Sequence, residues 1–282
     1  MKQKKILITG ANGFIGSHLQ AALSSDYEVI LTSRTQNDAK TEYLNLLDET
    51  SVEKCILKFA GYGIDAVIHT AGRLVDGTMT EDEQMQVFYD NLSITNHLVK
   101  LIRGLNIGIL LNCSSIAVYP NRDGEFAEDS EIRTSCNAEC MYGLSKFCAE
   151  NIFDLYLKGH SRVINLRLAQ VYGPGMREDR IIPIMKDSVR KKDIIEVYGN
   201  GERGSNFVHV DRVCRVVGKL LQMDNVEGIY NLGGENLSYL QLARKIVGKY
   251  GQDSTRIVFI DEGSKAKFRL DTKKMDALLE KQ

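Results

Sequence analysis

Three glycines at a spacing of three, Gly10, Gly13 and Gly16, stand between a short apolar run and a helical one. Lys4-Lys5-Ile6-Leu7-Ile8-Thr9 is rich in strand formers, and Ser17-His18-Leu19-Gln20-Ala21-Ala22-Leu23 carries its apolar residues at helical spacing. Strand, glycine turn and helix in that order open a βαβ unit and present the helix N-terminus to a dinucleotide's phosphates. Gly10 serves the tight turn, Gly13 the close approach of a pyrophosphate and Gly16 the packing of helix on strand. Asn12, Phe14 and Ile15 occupy the positions between and are expected to touch the same cofactor. A plain glycine turn is the competing reading, and the flanking strand and helix weigh against it.

The next segments alternate in the same way. Glu28-Val29-Ile30-Leu31-Thr32 reads as a second strand leaving through Ser33-Arg34. An Asp or Glu at this strand end would bind the ribose 2′-hydroxyl of NAD, whereas the Arg34 guanidinium beside Ser33 suits a 2′-phosphate. A solvated arginine at a strand end competes with that reading. The pattern favours NADP(H), with NAD(H) as the alternative. Tyr43 to Asp48 is the third strand and its exit, with Leu47 at the cofactor. Asp48 serves either as a contact near the adenine or as the cap of a helix running from Glu49 to Ala60. Asp65 to Gly72 is the fourth strand, ending in Ala71-Gly72, whose small size leaves room for a cofactor. His69 in this strand reads as a structural histidine bonded to backbone. A long helix is expected from Glu83 to Leu105, with Asn91 in its middle bonding a neighbouring strand end. Ile107 to Ser115 is the fifth strand, ending in two hydroxyls at the edge where ligands bind in such sheets. Val163 to Leu168 is the sixth.

Strands alternating with helices predict an α/β fold of the Rossmann-like kind, a doubly wound parallel sheet. From Tyr172 the texture becomes loop-rich, which predicts a smaller C-terminal α/β lobe for substrate. The expected division is a dinucleotide-binding domain over 1–171, with 208–232 returning to it, and a substrate lobe over 172–207 and 233–282. A net charge of -1 gives no reason to expect nucleic acid or an anionic membrane as partner. The basic start, Met1 to Lys5, is followed by too few apolar residues for a signal peptide, and no run is long enough to span a bilayer. The six cysteines form no Cys-x-x-Cys pair and no metal site is expected. A cytoplasmic protein with reduced thiols is the expectation.

Tyr142-Gly143-Leu144-Ser145-Lys146 places a tyrosine and a lysine one turn apart on one face of a helix expected to end at Leu155. An ammonium beside a phenol favours the phenolate and suits the tyrosine to proton transfer. Alone the spacing is common. With Thr9-Gly10-x-x-Gly13-x-x-Gly16, Val67-Ile68-His69-x-Ala71-Gly72, Ser114-Ser115-x-x-x-Tyr119, Tyr172-Gly173-Pro174 and Phe207-Val208-His209-Val210-Asp211, the chain resembles the extended short-chain dehydrogenase/reductase family, in its sugar-nucleotide epimerase/dehydratase/reductase branch. The resemblance implies Ser115, Tyr142 and Lys146 as the catalytic residues. Tyr142 would be the acid/base, and Lys146 would bind the nicotinamide ribose and lower the tyrosine's pKa. It adds Val171 to the cofactor contacts. It implies a nucleotide-sugar substrate held by Ser115, Gln170, Arg203, Ser205 and Lys267, and a homodimer formed through the long helices. Three departures stand out. Gln170 replaces a usual Asn. Ser205-Asn206 replaces a usual Arg-Asp, with Arg203 as a nearby substitute. Ile116-Ala117 replaces the acidic pair of the dehydratases, which removes the acid and base of a dehydration. Reduction of a 4-keto sugar nucleotide is the leading expectation. A 4-epimerase is the alternative, and a non-catalytic dinucleotide sensor is disfavoured because Tyr142 and Lys146 are both present.

Overall fold

A computed structural model describes residues 3–35 and 39–281; Met1 and Lys2 of the basic start lie outside them. In chain order the strands are β1 (Lys5–Thr9), β2 (Glu28–Ser33), β3 (Thr41–Tyr43), β4 (Ala66–His69), β5 (Ile109–Ser115), β6 (Gly124–Phe126), β7 (Arg162–Leu168), β8 (Gln170–Tyr172), β9 (Ile194–Tyr198), β10 (Gly204–His209), β11 (Gly228–Leu232), β12 (Glu235–Ser238), β13 (Arg256–Ile260) and β14 (Phe268–Leu270). The helices are α1 (Phe14–Leu23), α2 (Glu49–Phe59), α3 (Glu81–Gly104), α4 (Cys140–Tyr156), α5 (Ile181–Lys192), α6 (Val210–Gln222), α7 (Tyr239–Tyr250) and α8 (Lys273–Glu280).

Seven strands form one sheet in the order β11-β7-β5-β4-β1-β2-β3. Neighbours from β7 to β3 run parallel. The order reverses between β1 and β4, which is where a doubly wound sheet opens a crevice at its carboxyl edge. The central strands are mostly apolar, as strands covered on both faces are. Leu7, Val67, Leu110 and Val163 lie in one row across β1, β4, β5 and β7, and pack with Leu98, Leu101 and Phe153 of α3 and α4. Two residues along, on the same face, the row turns polar: Thr9, His69, Asn112 and Asn165 are in register and buried. Helix α3 starts with a capping box between Thr80 and Glu83.

The chain divides into two units, Met1–Pro120 with Glu131–Leu168 and Asp211–Tyr230, and Asn121–Ser130 with Ala169–Val210 and Asn231–Gln282. Three details depart from the expected division. Residues 121–130 group with the second unit, because β6 pairs in parallel with β14. Residues 169–171 do so because β8 pairs with β10. The return to the first unit covers Asp211–Tyr230 rather than 208–232, and at its start Val208 and His209 pair with Val171 and Tyr172. In the second unit β12-β10-β8 form a three-stranded sheet, and β13-β9 form a pair packed with α5 and α7 through Ile195, Val197, Met185 and Leu242. The third strand lies earlier than expected, ending at Tyr43, where the expected strand begins. After Leu44 donates to the Ser33 carbonyl the chain turns, with Asn45 Oδ1 accepting from Leu47 N–H at 3.1 Å.

Candidate active site

The glycine turn joins β1 to α1. Gly10 has φ +73°, and the Gly13 N–H donates to its carbonyl at 2.9 Å. A Cβ at Gly16 would sit 2.3 Å from the Gly10 oxygen, so only glycine lets α1 start this close to the strand. Gly13 is the N-cap of α1 and has no side chain to occupy the first N–H groups, which leaves them and the positive dipole end for an anion. Beside the turn lies a cleft of about 280 Å³ at the carboxyl ends of β1, β2 and β4. Of the residues expected at a cofactor, Gly10, Asn12, Gly13 and Ser33 line it, as do Arg34, Leu47, Ala71 and Gly72. Phe14, Ile15 and Gly16 form the first turn of α1. Asp48 is absent from the lining; it caps α2, its carboxylate accepting from Thr50 N–H at 3.0 Å, while Asn45, Leu46 and Leu47 supply that wall. The glycine turn and the open helix N-terminus fit a dinucleotide's pyrophosphate.

Two arms of the cleft are tied together by a contact the sequence did not announce. Asn12 Nδ2 donates to the Thr35 carbonyl at 2.6 Å, joining the glycine turn to the strand end that carries Ser33 and Arg34. Across the cleft, Asn91 of α3 accepts from Arg73 N–H at 2.8 Å and donates to the Arg73 carbonyl and to Ser145 Oγ, both at 3.0 Å. Contrary to expectation, Asn91 bonds not a strand end but the loop that follows β4 and the α4 helix. His69 takes a side-chain partner rather than backbone: its Nδ1 lies 2.7 Å from Thr9 Oγ1. Burial, helped by the Lys146 charge, pushes the His69 pKa down to about 3, so this imidazole is neutral and structural.

Ser115 ends β5, and its hydroxyl oxygen accepts from Ala117 N–H at 3.1 Å, capping a short 3-10 turn over Ile116–Val118. That bond occupies a lone pair and leaves the O–H to donate. Lys146 is buried and donates to the Cys113 carbonyl at 3.0 Å. Its Nζ stands 5.7 Å from the Tyr142 ring centroid. It also lies 3.5 Å from where a Cβ on Gly72 would be, so the lysine reaches the cleft wall. Burial lowers the Lys146 pKa, and the Cys113 and Glu150 charges oppose the shift. Burial likewise pushes the Cys113 thiol up to about 12. Gly143 explains how α4 comes so near β5: a Cβ there would lie 2.1 Å from the Ala117 carbonyl oxygen. Its meaning was hidden in the sequence, where it is one of the unassigned residues between Tyr142 and Lys146.

Apart from Ser115 at the end of β5, the substrate candidates lie in the second unit. Gln170 and Val171 pair with Phe207 and Val208. Arg203, Ser205 and Lys267 come together at the start of β10, where Gly204 bridges to Lys267. The Arg203 guanidinium stacks over the Tyr239 ring at 4.9 Å, and Lys267 pairs with Glu202 at 2.9 Å. Ser205 is buried, so the strand position of the usual arginine points inward here. Asn206 accepts from Gly234 N–H at 2.8 Å and donates to Asn236 Oδ1 at 3.0 Å, a pairing that needs an amide and not a carboxylate. Among the described residues no cluster of His, Cys, Asp and Glu could hold a metal ion, and no helix is long and apolar enough to cross a membrane.

Comparison with known proteins places this geometry. Over 268 residues the chain is 27% identical to a dTDP-4-dehydro-6-deoxy-D-allose reductase of Streptomyces bikiniensis, covering 88% of this chain and 82% of that one. It is 26% identical to a UDP-glucuronate 4-epimerase of Thermodesulfobacterium geofontis, covering 86% and 80%. The UDP-glucuronic acid 4-epimerase of Bacillus cereus, solved with UDP-glucuronic acid and NAD, superposes with a TM-score of 0.78 at 24% identity, over 99% of this chain and 93% of that one. The profile of one family matches residues 6–233. The chain therefore belongs to the NAD dependent epimerase/dehydratase family.

Proposed function

We propose that the protein is an NADP(H)-dependent reductase of a 4-keto sugar linked to a nucleoside diphosphate. The observation that carries the reading is Arg34. It lines the cleft at the exit of β2, beside the Ser33 hydroxyl, where an acidic residue would instead take a ribose 2′-hydroxyl. The glycine turn, Leu47, Ala71 and Gly72 would hold the dinucleotide, with Val171 as a further contact. When bound, the nicotinamide supplies the hydride that reduces the carbonyl carbon. The chain's own residues manage the oxygen. Tyr142 gives its proton to the developing alkoxide, and the Ser115 O–H donates a hydrogen bond to the same atom. The Lys146 ammonium stabilises the phenolate left behind and binds the ribose. Arg203, held flat by Tyr239, and Lys267, on leaving Glu202, would supply positive charge for the diphosphate, with the exposed Gln170 at the sugar nucleotide; Ser205, buried here, is not carried into this role. Ile116 and Ala117 are apolar and buried, which argues against a dehydratase. The similarity to a keto-sugar reductase supports the same choice.

A second reading is a 4-epimerase, because the same three groups serve oxidation of a hydroxyl and its return, and one relative is a 4-epimerase. Purified protein incubated with a panel of 4-keto sugar nucleotides and NADPH or NADH separates the two. Loss of absorbance at the reduced-nicotinamide band with a keto sugar supports the reductase. A tightly retained NAD and no net oxidation of added cofactor would sink it in favour of the epimerase.

A further inference from the structure

Behind the triad lies a charged cluster that the chemistry above does not use. Arg167 of β7 and Glu150 of α4 form an ion pair at 2.8 Å, with side chains only 2% and 1% exposed. Arg167 Nε donates to both carboxylate oxygens, at 3.1 and 3.3 Å, and Nη2 donates to Oε2 at 2.8 Å. Ser114 Oγ donates to Glu150 Oε1 at 2.5 Å, and Arg167 Nη1 donates to Tyr119 Oη at 2.8 Å. Taking both charges out of water is costly, and well-packed apolar replacements of such pairs are often neutral or stabilising, so stability alone does not account for the cluster. Its placement is more informative. Ser114 precedes Ser115. Tyr119 closes the turn that Ser115 caps. Arg167 is in register with Ser114. Glu150 lies one helical turn beyond Lys146 on the same face of α4.

Two bonds one turn apart therefore tie α4 to adjacent residues of β5: Lys146 to the Cys113 carbonyl, and Glu150 to the Ser114 hydroxyl. The charged and titratable groups around Lys146 are Tyr142 and Glu150 on its own helix, His69 on β4 and the Cys113 thiol on β5. Of these, Glu150 supplies a carboxylate, and Arg167 limits how much of that charge Lys146 feels. We propose that Glu150 is a positioning residue that, through Arg167 and Ser114, fixes α4 in register on β5 and so sets the mutual geometry of Ser115, Tyr142 and Lys146. The assignment rests on the reading of those three as the reacting groups.

The test uses the full chain in three variants, Glu150→Gln, Arg167→Met and Ser114→Ala. NMR titration of carbon-13-labelled lysine, with Lys146 assigned by its loss in Lys146→Met, needs no substrate. Lys146 is expected to deprotonate at lower pH than wild type in Glu150→Gln and at higher pH in Arg167→Met; identical titration in all would overturn the proposal. With a turned-over keto sugar, kcat is expected to fall about ten- to hundredfold in Glu150→Gln while KM changes far less, as for a misplacement of roughly 1 Å. A wild-type kcat in folded Glu150→Gln overturns it. Where neither charge variant folds, Ser114→Ala decides: a lower kcat at an unchanged Tm supports the tie, and an unchanged kcat refutes it. A fully active Tyr142→Phe would instead remove the triad reading, leaving the titration result standing.

Discussion

Gly143→Ala isolates the approach of α4 to the end of β5. Two effects oppose each other. Alanine in place of glycine inside a helix gains about 1 kcal/mol. Against this, the new Cβ would lie 2.1 Å from the Ala117 carbonyl oxygen, where real Cβ atoms ordinarily keep 3.4 Å or more. Backbone cannot rotate away as a side chain can, so α4 must retreat from the turn after Ser115. Overpacking of this kind costs roughly 1–3 kcal/mol. The net loss of stability is therefore at most about 2 kcal/mol, a drop in Tm of about 4–8 °C at the slope for larger domains. The effect on turnover is larger, because the displaced helix carries both Tyr142 and Lys146. A misplacement of roughly 1 Å costs about a hundredfold in rate. The glycine turn and the Ser33–Arg34 strand end are untouched, so cofactor binding weakens only by what the Lys146 contact to the ribose contributes. The assay is NADPH oxidation with a turned-over keto sugar, read beside thermal unfolding and fluorescence titration of NADPH. Gly248→Ala is the control: it is a helix glycine with nothing within 4 Å of the added Cβ, and it should gain stability with no change in rate. A Gly143→Ala enzyme with kcat within about threefold of wild type would refute the reasoning, because so small a loss implies no misplacement of the size used here.

Gly16→Ala meets the Gly10 carbonyl at 2.3 Å and should abolish NADPH binding measured by fluorescence, since α1 can no longer seat at the turn. Arg34→Ala should raise the NADPH KM about tenfold or more while leaving that of NADH nearly unchanged, the loss of one charge-assisted phosphate contact; equal effects on both cofactors would remove the 2′-phosphate role. Tyr142→Phe should bind cofactor normally and show no turnover in the same absorbance assay. His69 gives a pH signature. Its folded pKa of about 3 lies below the ordinary 6.5, so below pH 6.5 the unfolded chain takes up a proton that the folded chain refuses. Stability attributable to this residue is complete above pH 6.5 and is lost as pH falls toward about 3, by about 2 kcal/mol between pH 7 and 5. Urea unfolding of wild type against His69→Gln should show that difference in slope, and parallel curves would contradict it.

What the sequence made legible follows from the range of the interaction responsible. The glycine turn, the apolar central strands and the Tyr142–Lys146 face are local: each is set by residues within a few positions, so spacing alone exposes them. Asp48 shows where local reading divides. Its two candidate roles differ only in what the carboxylate meets, and the Thr50 N–H two residues on takes it, leaving Asn45 and Leu47 at the cleft. Gly143 and Glu150 were illegible for the opposite reason. Each answers to an atom that is distant in sequence, the Ala117 carbonyl for one and Arg167 and Ser114 for the other, and nothing in the neighbouring residues marks them. The boundary of the second unit fails in the same manner. Residues 121–130 leave the first unit because β14, more than 140 positions later, pairs with β6, and no composition shift announces a partner so far away. The residues proposed for the reaction were therefore readable from local motifs and the resemblance they carry, while those proposed to hold them in place required the fold. This explains why a motif search finds Ser115, Tyr142 and Lys146 and passes over the cluster behind them. In the proposed reading, the motif residues owe their identity to the reaction. The supporting residues owe theirs to the gap between α4 and β5, and that gap is defined only once Lys146 and Glu150 have both reached the strand.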